Sequence, residues 1–305
     1  MSPLKTERIP LSTGIAVNVC HGGPQGGAAL LFLHGFPESH RTWRHQLADL
    51  SSDFRVVAAD QRGFAGSDKP EGVENYETAR VIEDALALMD KLGLERFTLV
   101  GHDWGGAVAW AMALQHPDRV DRLVIVNAPH PLVLQKSLIE DEEQRRASQY
   151  ISFFRNPAAE AAIAAMGLET FLEKVMLAHA DASKLPEEER RRYLDDWAEP
   201  GTLTAMLNWY RASRLVVPAP GESAKLPLWT LAPFPKVAVP TLVVWGLEDS
   251  ALRPVQLEGL HEQVEDLRIV TAPGAGHFIT WEEPEFVAGA IRDFLAETGG
   301  RRTGG

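Results

Sequence analysis

Residues 96 to 114 constrain the fold of this 305-residue chain more than any other stretch. Arg96-Phe97-Thr98-Leu99-Val100 is short and apolar, the pattern of a strand buried on both faces of a parallel sheet. Ala107 to Leu114 is apolar on every side, as a buried helix must be. Between them lies Gly101-His102-Asp103-Trp104-Gly105-Gly106. Glycines around the corner let the strand turn sharply into the helix and let that helix lie close on the sheet. The side chain in the middle of the turn is then held out above the sheet edge. Here it is Asp103, a carboxylate already ionised at neutral pH.

The rest of the chain repeats the alternation of strand and helix. Ile15 to Val19 alternates apolar and polar, and His21 to Gly27 reads as a turn cluster. Ala28 to Leu33, Arg55 to Ala59, Leu123 to Val126, Thr241 to Trp245 and Leu267 to Val270 read as strands. Thr78 to Leu92 and Phe286 to Leu295 carry apolar residues at helical spacing, with Gly93 as a stop after the first. Thr298 to Gly305 is glycine-rich and expected to fray. The pattern predicts an α/β protein with a mostly parallel sheet covered on both faces. From about Leu132 to Pro227 there is no strand signal. Charge runs there, Glu140 to Arg146 and Glu187 to Arg192, read as solvated helix faces with i,i+4 pairs.

A net charge of −12 argues against nucleic-acid and anionic-membrane partners. Cys20, the single cysteine, excludes an intrachain disulfide and a thiolate metal cluster. Met1 to Pro10 is too polar for a secretory leader, and no apolar run reaches spanning length. A cytoplasmic protein that does not bind membranes is expected, with monomer and homodimer both open. His261-Glu262 lacks the second histidine of HExxH, and Asp60 to Asp68 lacks the lysine of a phosphate-binding loop. No metal or other cofactor is expected.

Asp249 and His277 follow the last two predicted strands, at the sheet edge where such folds place their sites. With Asp103 they stand in the order nucleophile, acid, histidine. Glu248 is the rival acid; Asn127, after the preceding strand, cannot serve as a carboxylate.

With GHDWGG, His34-Gly35-Phe36-Pro37-Glu38 and the Asp60 to Asp68 run, the chain resembles the α/β-hydrolase superfamily. More narrowly it resembles the branch with an aspartate nucleophile, which holds epoxide hydrolases and haloalkane dehalogenases. The resemblance covers most of the chain, least strongly the middle. It implies a hydrolase core of about 1–131 and 228–305 and a helical cap of about 132–227. It implies an ester on Asp103, hydrolysed by water that His277, supported by Asp249, activates. The backbone N–H groups of Phe36 and Trp104 would form the oxyanion hole, with Pro37 fixing the turn and Glu38 positioning water.

The leaving group decides between the activities. Epoxide opening needs an acidic hydroxyl above Asp103, whereas a halide needs only N–H donors. Asn208-Trp209-Tyr210-Arg211 resembles the segment that carries one lid tyrosine of epoxide hydrolases, which implies Tyr210 as that acid and Trp209 beside the pocket. In Ser148 to Phe154, Phe153 stands where a second tyrosine is expected, as a pocket residue, and Tyr150 one turn earlier is the candidate replacement. Haloalkane dehalogenases carry an asparagine where this chain has Phe36; haloacid dehalogenases carry arginines where it has Trp104 and Ala107. The expectation is hydrolysis of a small apolar epoxide to a vicinal diol. C–halogen hydrolysis by the same Asp103 is the first alternative, and a non-catalytic ligand receptor on the same scaffold the second.

Overall fold

Six apolar runs of five to seven residues, too short for helices and rich in valine and leucine, join two longer strands at one edge in one eight-stranded sheet in the computed structural model, which describes residues 2–299. The strands are β1 (Ser2–Pro10), β2 (Ala16–Gly23), β3 (Ala29–Leu33), β4 (Arg55–Ala59), β5 (Phe97–His102), β6 (Val120–Val126), β7 (Thr241–Gly246) and β8 (Leu267–Ala272). Their order is β1-β2-β4-β3-β5-β6-β7-β8. Strands β4 to β8 and β3 run parallel, while β1 and β2 pair antiparallel at one edge.

The helices are α1 (Arg44–Leu50), α2 (Thr78–Lys91), α3 (Trp104–Gln115), α4 (Pro131–Glu140), α5 (Glu142–Ala147), α6 (Gln149–Arg155), α7 (Ala159–Met166), α8 (Leu168–Val175), α9 (Glu187–Ala198), α10 (Thr202–Ala212), α11 (Leu260–Gln263), α12 (Ile279–Glu282) and α13 (Pro284–Gly299). Side chains alternate across the sheet, so β3 sends Leu30 and Phe32 one way and Leu31 and Leu33 the other. Leu30 and Phe32 join a core with α1 and α13; Leu31 and Leu33 join one with α2, α3 and the helices α6 to α10. Helices α4 to α10 are inserted between β6 and β7, which are themselves neighbours in the sheet. Among the described residues, no helix is long and apolar enough to cross a membrane.

Some stretches differ from what their local sequence pattern announces. Ser2–Pro10 is a strand, which its polar sequence hides because it lies at the sheet edge with most residues exposed. His21 to Gly23 extend β2 rather than begin a turn, pairing with both β1 and β4. Thr298 does not fray: it closes the last turn of α13, its hydroxyl donating to the Phe294 carbonyl at 2.6 Å. Residues 300–305 lie outside the described residues. The two charge runs are only partly solvated. Arg146 pairs with Glu142 and Arg192 with Glu188 one turn away. Arg145, however, is buried and donates to the carbonyls of Leu138 and Glu222, and Glu189 pairs with Arg41 of the core.

Candidate active site

The site is built on the corner between β5 and α3. Asp103 sits there at φ 50°, ψ −120°, a left-handed conformation that a non-glycine residue adopts only under constraint. The constraint is close packing on both sides. A Cβ at Gly105 would lie 2.2 Å from the Leu33 carbonyl oxygen, and one at Gly35 would lie 2.4 Å from the Asp103 Cβ. Only glycine at these two positions lets α3 and the loop after β3 approach the turn.

Three loops at the carboxyl ends of β3, β7 and β8 meet Asp103. The Phe36 N–H donates to Asp103 Oδ1 at 2.7 Å, and the peptide bond that follows, Phe36–Pro37, is cis. The Trp104 N–H is one of the four at the start of α3 with no partner inside the helix. His277 Nε2 lies 3.7 Å from Asp103 Oδ2, and its Nδ1 is 2.7 Å from Asp249 Oδ2. Asp249 is buried and also accepts the Ala251 and Leu252 N–H groups, whereas Glu248 is exposed. The geometry therefore selects Asp249 over Glu248 as the partner of the imidazole.

Asn127, set aside as an acid, has a different part in the site. At φ 40° after β6, its Nδ2 donates to Asp249 Oδ2 at 2.7 Å and its Oδ1 accepts the Gly246 N–H at 2.8 Å. It fixes the carboxylate from behind. Its one signal in the sequence is its place at the end of a buried strand.

Burial alone would lower the His277 pKa, but the Asp249 charge and hydrogen bond, with the charges of Asp103 and Glu38, outweigh it and raise the group to about 9. Burial works to raise Asp249, and the His277 charge, the imidazole and the Asn127 amide together hold it below the usual carboxylate range.

Two cavities meet at Asp103. One of about 460 Å³ runs along α3 past Ala107 and Ala111 to Leu134 of α4 and to Leu215. The other, of about 80 Å³, lies on the His277 side against Phe154, Val175 and Phe278. Asp103, Tyr150 and Tyr210 border both. The tyrosine rings stand 6.0 Å apart and nearly perpendicular. Both hydroxyls titrate above the ordinary tyrosine value, because burial and then the Asp103 charge disfavour the phenolate. The Trp104 ring meets the Tyr210 ring edge-on, with centroids 5.2 Å apart. Arg155 holds the end of α10 by donating to the carbonyls of Tyr210, Ser213 and Leu215. Thr202 opens that helix, but its hydroxyl caps nothing; Gly201 is the capping residue.

Four expected pocket residues border neither cavity. On α6, Tyr150 and Phe154 share the inward face at i,i+4, which turns Phe153 outward to 39% exposure. Tyr150, and not Phe153, therefore stands beside Tyr210 at the cavities that meet Asp103. Trp209 points into the core, donating to the Arg62 carbonyl at 3.1 Å with its ring against Phe64. Pro37 gives its carbonyl to Trp197 Nε1 at 2.8 Å. Glu38 lies buried behind His277 rather than in the pocket. Its Oε1 accepts from Trp281 at 3.0 Å, and its Oε2 is 3.5 Å from His102 Nδ1. His102 Nε2 in turn donates to the His277 carbonyl at 2.9 Å.

Comparison with known proteins agrees with this architecture. A family model described as the alpha/beta hydrolase fold matches residues 28–284. An AB hydrolase superfamily protein of Bacillus subtilis is 33% identical over 93% of this chain and 96% of its own length. Epoxide hydrolase 3 of Xenopus tropicalis is 33% identical over 93% of this chain and 76% of its own. A solved structure of an epoxide hydrolase from hot-environment metagenomes superposes with a TM-score of 0.89 at 46% identity, covering 96% of this chain and 99% of that one. The chain belongs to the α/β-hydrolase superfamily and is a hydrolase similar to the epoxide hydrolases within it.

Proposed function

We propose that the protein hydrolyses an epoxide to a vicinal diol through an ester on Asp103. The observation that carries this reading is the pair of protonated tyrosines facing the carboxylate: an alkoxide leaving group needs a proton, whereas a halide does not. Residues 132–227 act as the cap that brings both hydroxyls over the nucleophile.

Asp103 Oδ2 attacks an epoxide carbon while its Oδ1 stays on the Phe36 N–H. The C–O bond breaks, and the oxygen takes a proton from Tyr210 or Tyr150. Esterification removes the Asp103 charge, one of those that raise His277, so the first step itself lowers the imidazole's pKa and favours the neutral form that can accept a proton. His277 then takes a proton from water, and the hydroxide adds to the ester carbonyl. The oxyanion forms against the Phe36 and Trp104 N–H groups. Collapse expels the diol alkoxide, which receives the proton from His277, and the proton left on the Asp103 carboxyl returns to the tyrosinate formed in the first step, restoring the resting site. Glu38 contributes through its charge on the imidazole rather than by touching water.

The test is His277→Gln. The variant is expected to form the ester and stop, gaining the mass of intact epoxide on the peptide that contains Asp103. In the wild type, single turnover in labelled water is expected to place protein oxygen in the diol and solvent oxygen in Asp103. Solvent oxygen in the first-turnover diol, with no adduct in the variant, would show Asp103 to be a base instead.

A further inference from the structure

We infer that the lobe beside His277 is a water chamber, so that the preferred substrate is an epoxide with a single large arm; this rests on the epoxide-hydrolase reading above. The two cavities on Asp103 differ almost sixfold in volume. A cavity of about 150 Å³ holds a benzene ring. The lobe along α3 holds about three times that, walled by small side chains, Ala107 and Ala111, and by Leu134 and Leu215. The lobe on the other side has about half the volume a ring needs.

That small lobe has a second occupant. His277 borders it and does not border the large one, so water activated by His277 must stand there. A water's share of liquid volume is about 30 Å³, which leaves room for roughly one or two carbons. Lys174 and His179 also border the small lobe, so its wall offers polar partners for a water. A large substituent on the second epoxide carbon therefore collides with Val175 and Phe154 and displaces the water as well. Two-armed epoxides are penalised twice: in forming the ester, and again in hydrolysing it.

The experiment compares styrene oxide with trans-stilbene oxide, which adds a second phenyl arm. Diol formation and, by quenched mass spectrometry, ester formation and decay are followed. In the wild type, kcat/KM is expected to fall at least 100-fold for stilbene oxide, and any ester it forms to decay at least tenfold more slowly than the styrene ester. Val175→Ala widens the small lobe and is expected to narrow the kcat/KM ratio at least tenfold. Ala111→Leu shortens the large lobe and is expected to raise KM for styrene oxide relative to propylene oxide. Wild-type ratios within threefold, for kcat/KM and for ester decay, would overturn the water-chamber assignment whether or not the variants fold. Absence of both diol and adduct with every epoxide would instead overturn the underlying reading of the activity.

Discussion

The backbone N–H of His277 donates to the carbonyl of His179, a residue of the helical insert, at 3.0 Å. The same seam is closed by Glu282, whose carboxylate accepts the Gly276 N–H at 3.1 Å and the Asp181 N–H at 2.9 Å. The His179 ring also meets Ser250 Oγ at 2.8 Å, one residue from Asp249. The loops that carry the proposed base and its carboxylate are thus both fastened to the insert that shapes the substrate lobes.

Glu282→Gln is the sharpest probe of that seam. Glutamine keeps one acceptor oxygen and turns an NH2 group toward a backbone N–H. Loss of one such bond costs about 1–3 kcal/mol of stability. The expected outcome is a lower Tm and a several-fold slower ester hydrolysis, with ester formation less affected. Equal slowing of both steps, by rapid-quench mass analysis, would argue against a role confined to the His277 loop.

Removing either hydroxyl above Asp103 tests the acid assignment. Tyr210→Phe is expected to slow ester formation by about 10²–10⁴, the usual worth of general-acid help. Tyr150→Phe is expected to do the same to a degree that measures how far the two share the task. Near-additive losses in the double variant would indicate independent acids; a double variant no worse than Tyr210→Phe would indicate that Tyr150 only orients the substrate.

The pH dependence follows from His277, raised from its ordinary 6.5 to about 9. Its neutral form is the base, so the hydrolysis rate constant is expected to climb with pH, with a midpoint below 9 because the ester has lost the Asp103 charge. The stability effect has the opposite direction. A histidine with a raised folded pKa contributes stability that is complete below about pH 6.5 and is lost as the pH rises through about 9. Urea denaturation of the wild type against His277→Gln is expected to show the wild-type advantage shrinking across that window.

Gly105→Ala reverses an ordinary rule. Alanine for glycine inside a helix normally stabilises by up to about 1 kcal/mol, yet the new Cβ would sit 2.2 Å from the Leu33 carbonyl oxygen. Overpacking of this kind costs about 1–3 kcal/mol or more. A fall in Tm with loss of ester formation is expected, because α3 cannot reseat without moving Asp103.

What the sequence discloses depends on how local the cause is. Buried strands are legible because both faces need apolar side chains, as β3, β5 and β7 show. Strand β1 is hidden because an edge strand can be polar. Asp103, Asp249 and His277 are legible because each follows a strand and their order is a topological fact. Phe153 is taken for a pocket residue for want of weighing i,i+4 against i,i+3: Phe154, not Phe153, shares the inward face with Tyr150. Glu38, Trp209, Arg155 and Asn127 take their places from contacts with residues 55 to 243 positions away, which no local pattern announces.

Because β6 and β7 lie side by side, with Val126 opposite Val244, more than a hundred residues leave and return through a single slot in the sheet. His130 at one side of that slot stacks edge-on against Phe234 at the other, so the doorway is latched by one aromatic pair. A module attached this way can be lengthened, shortened or exchanged between relatives without re-threading the sheet, since its ends are already together. What the enzyme recognises can then diversify while Asp103, Asp249 and His277 stay fixed on the sheet. A chimera joined at the latch is the natural unit for transplanting selectivity from one such protein to another.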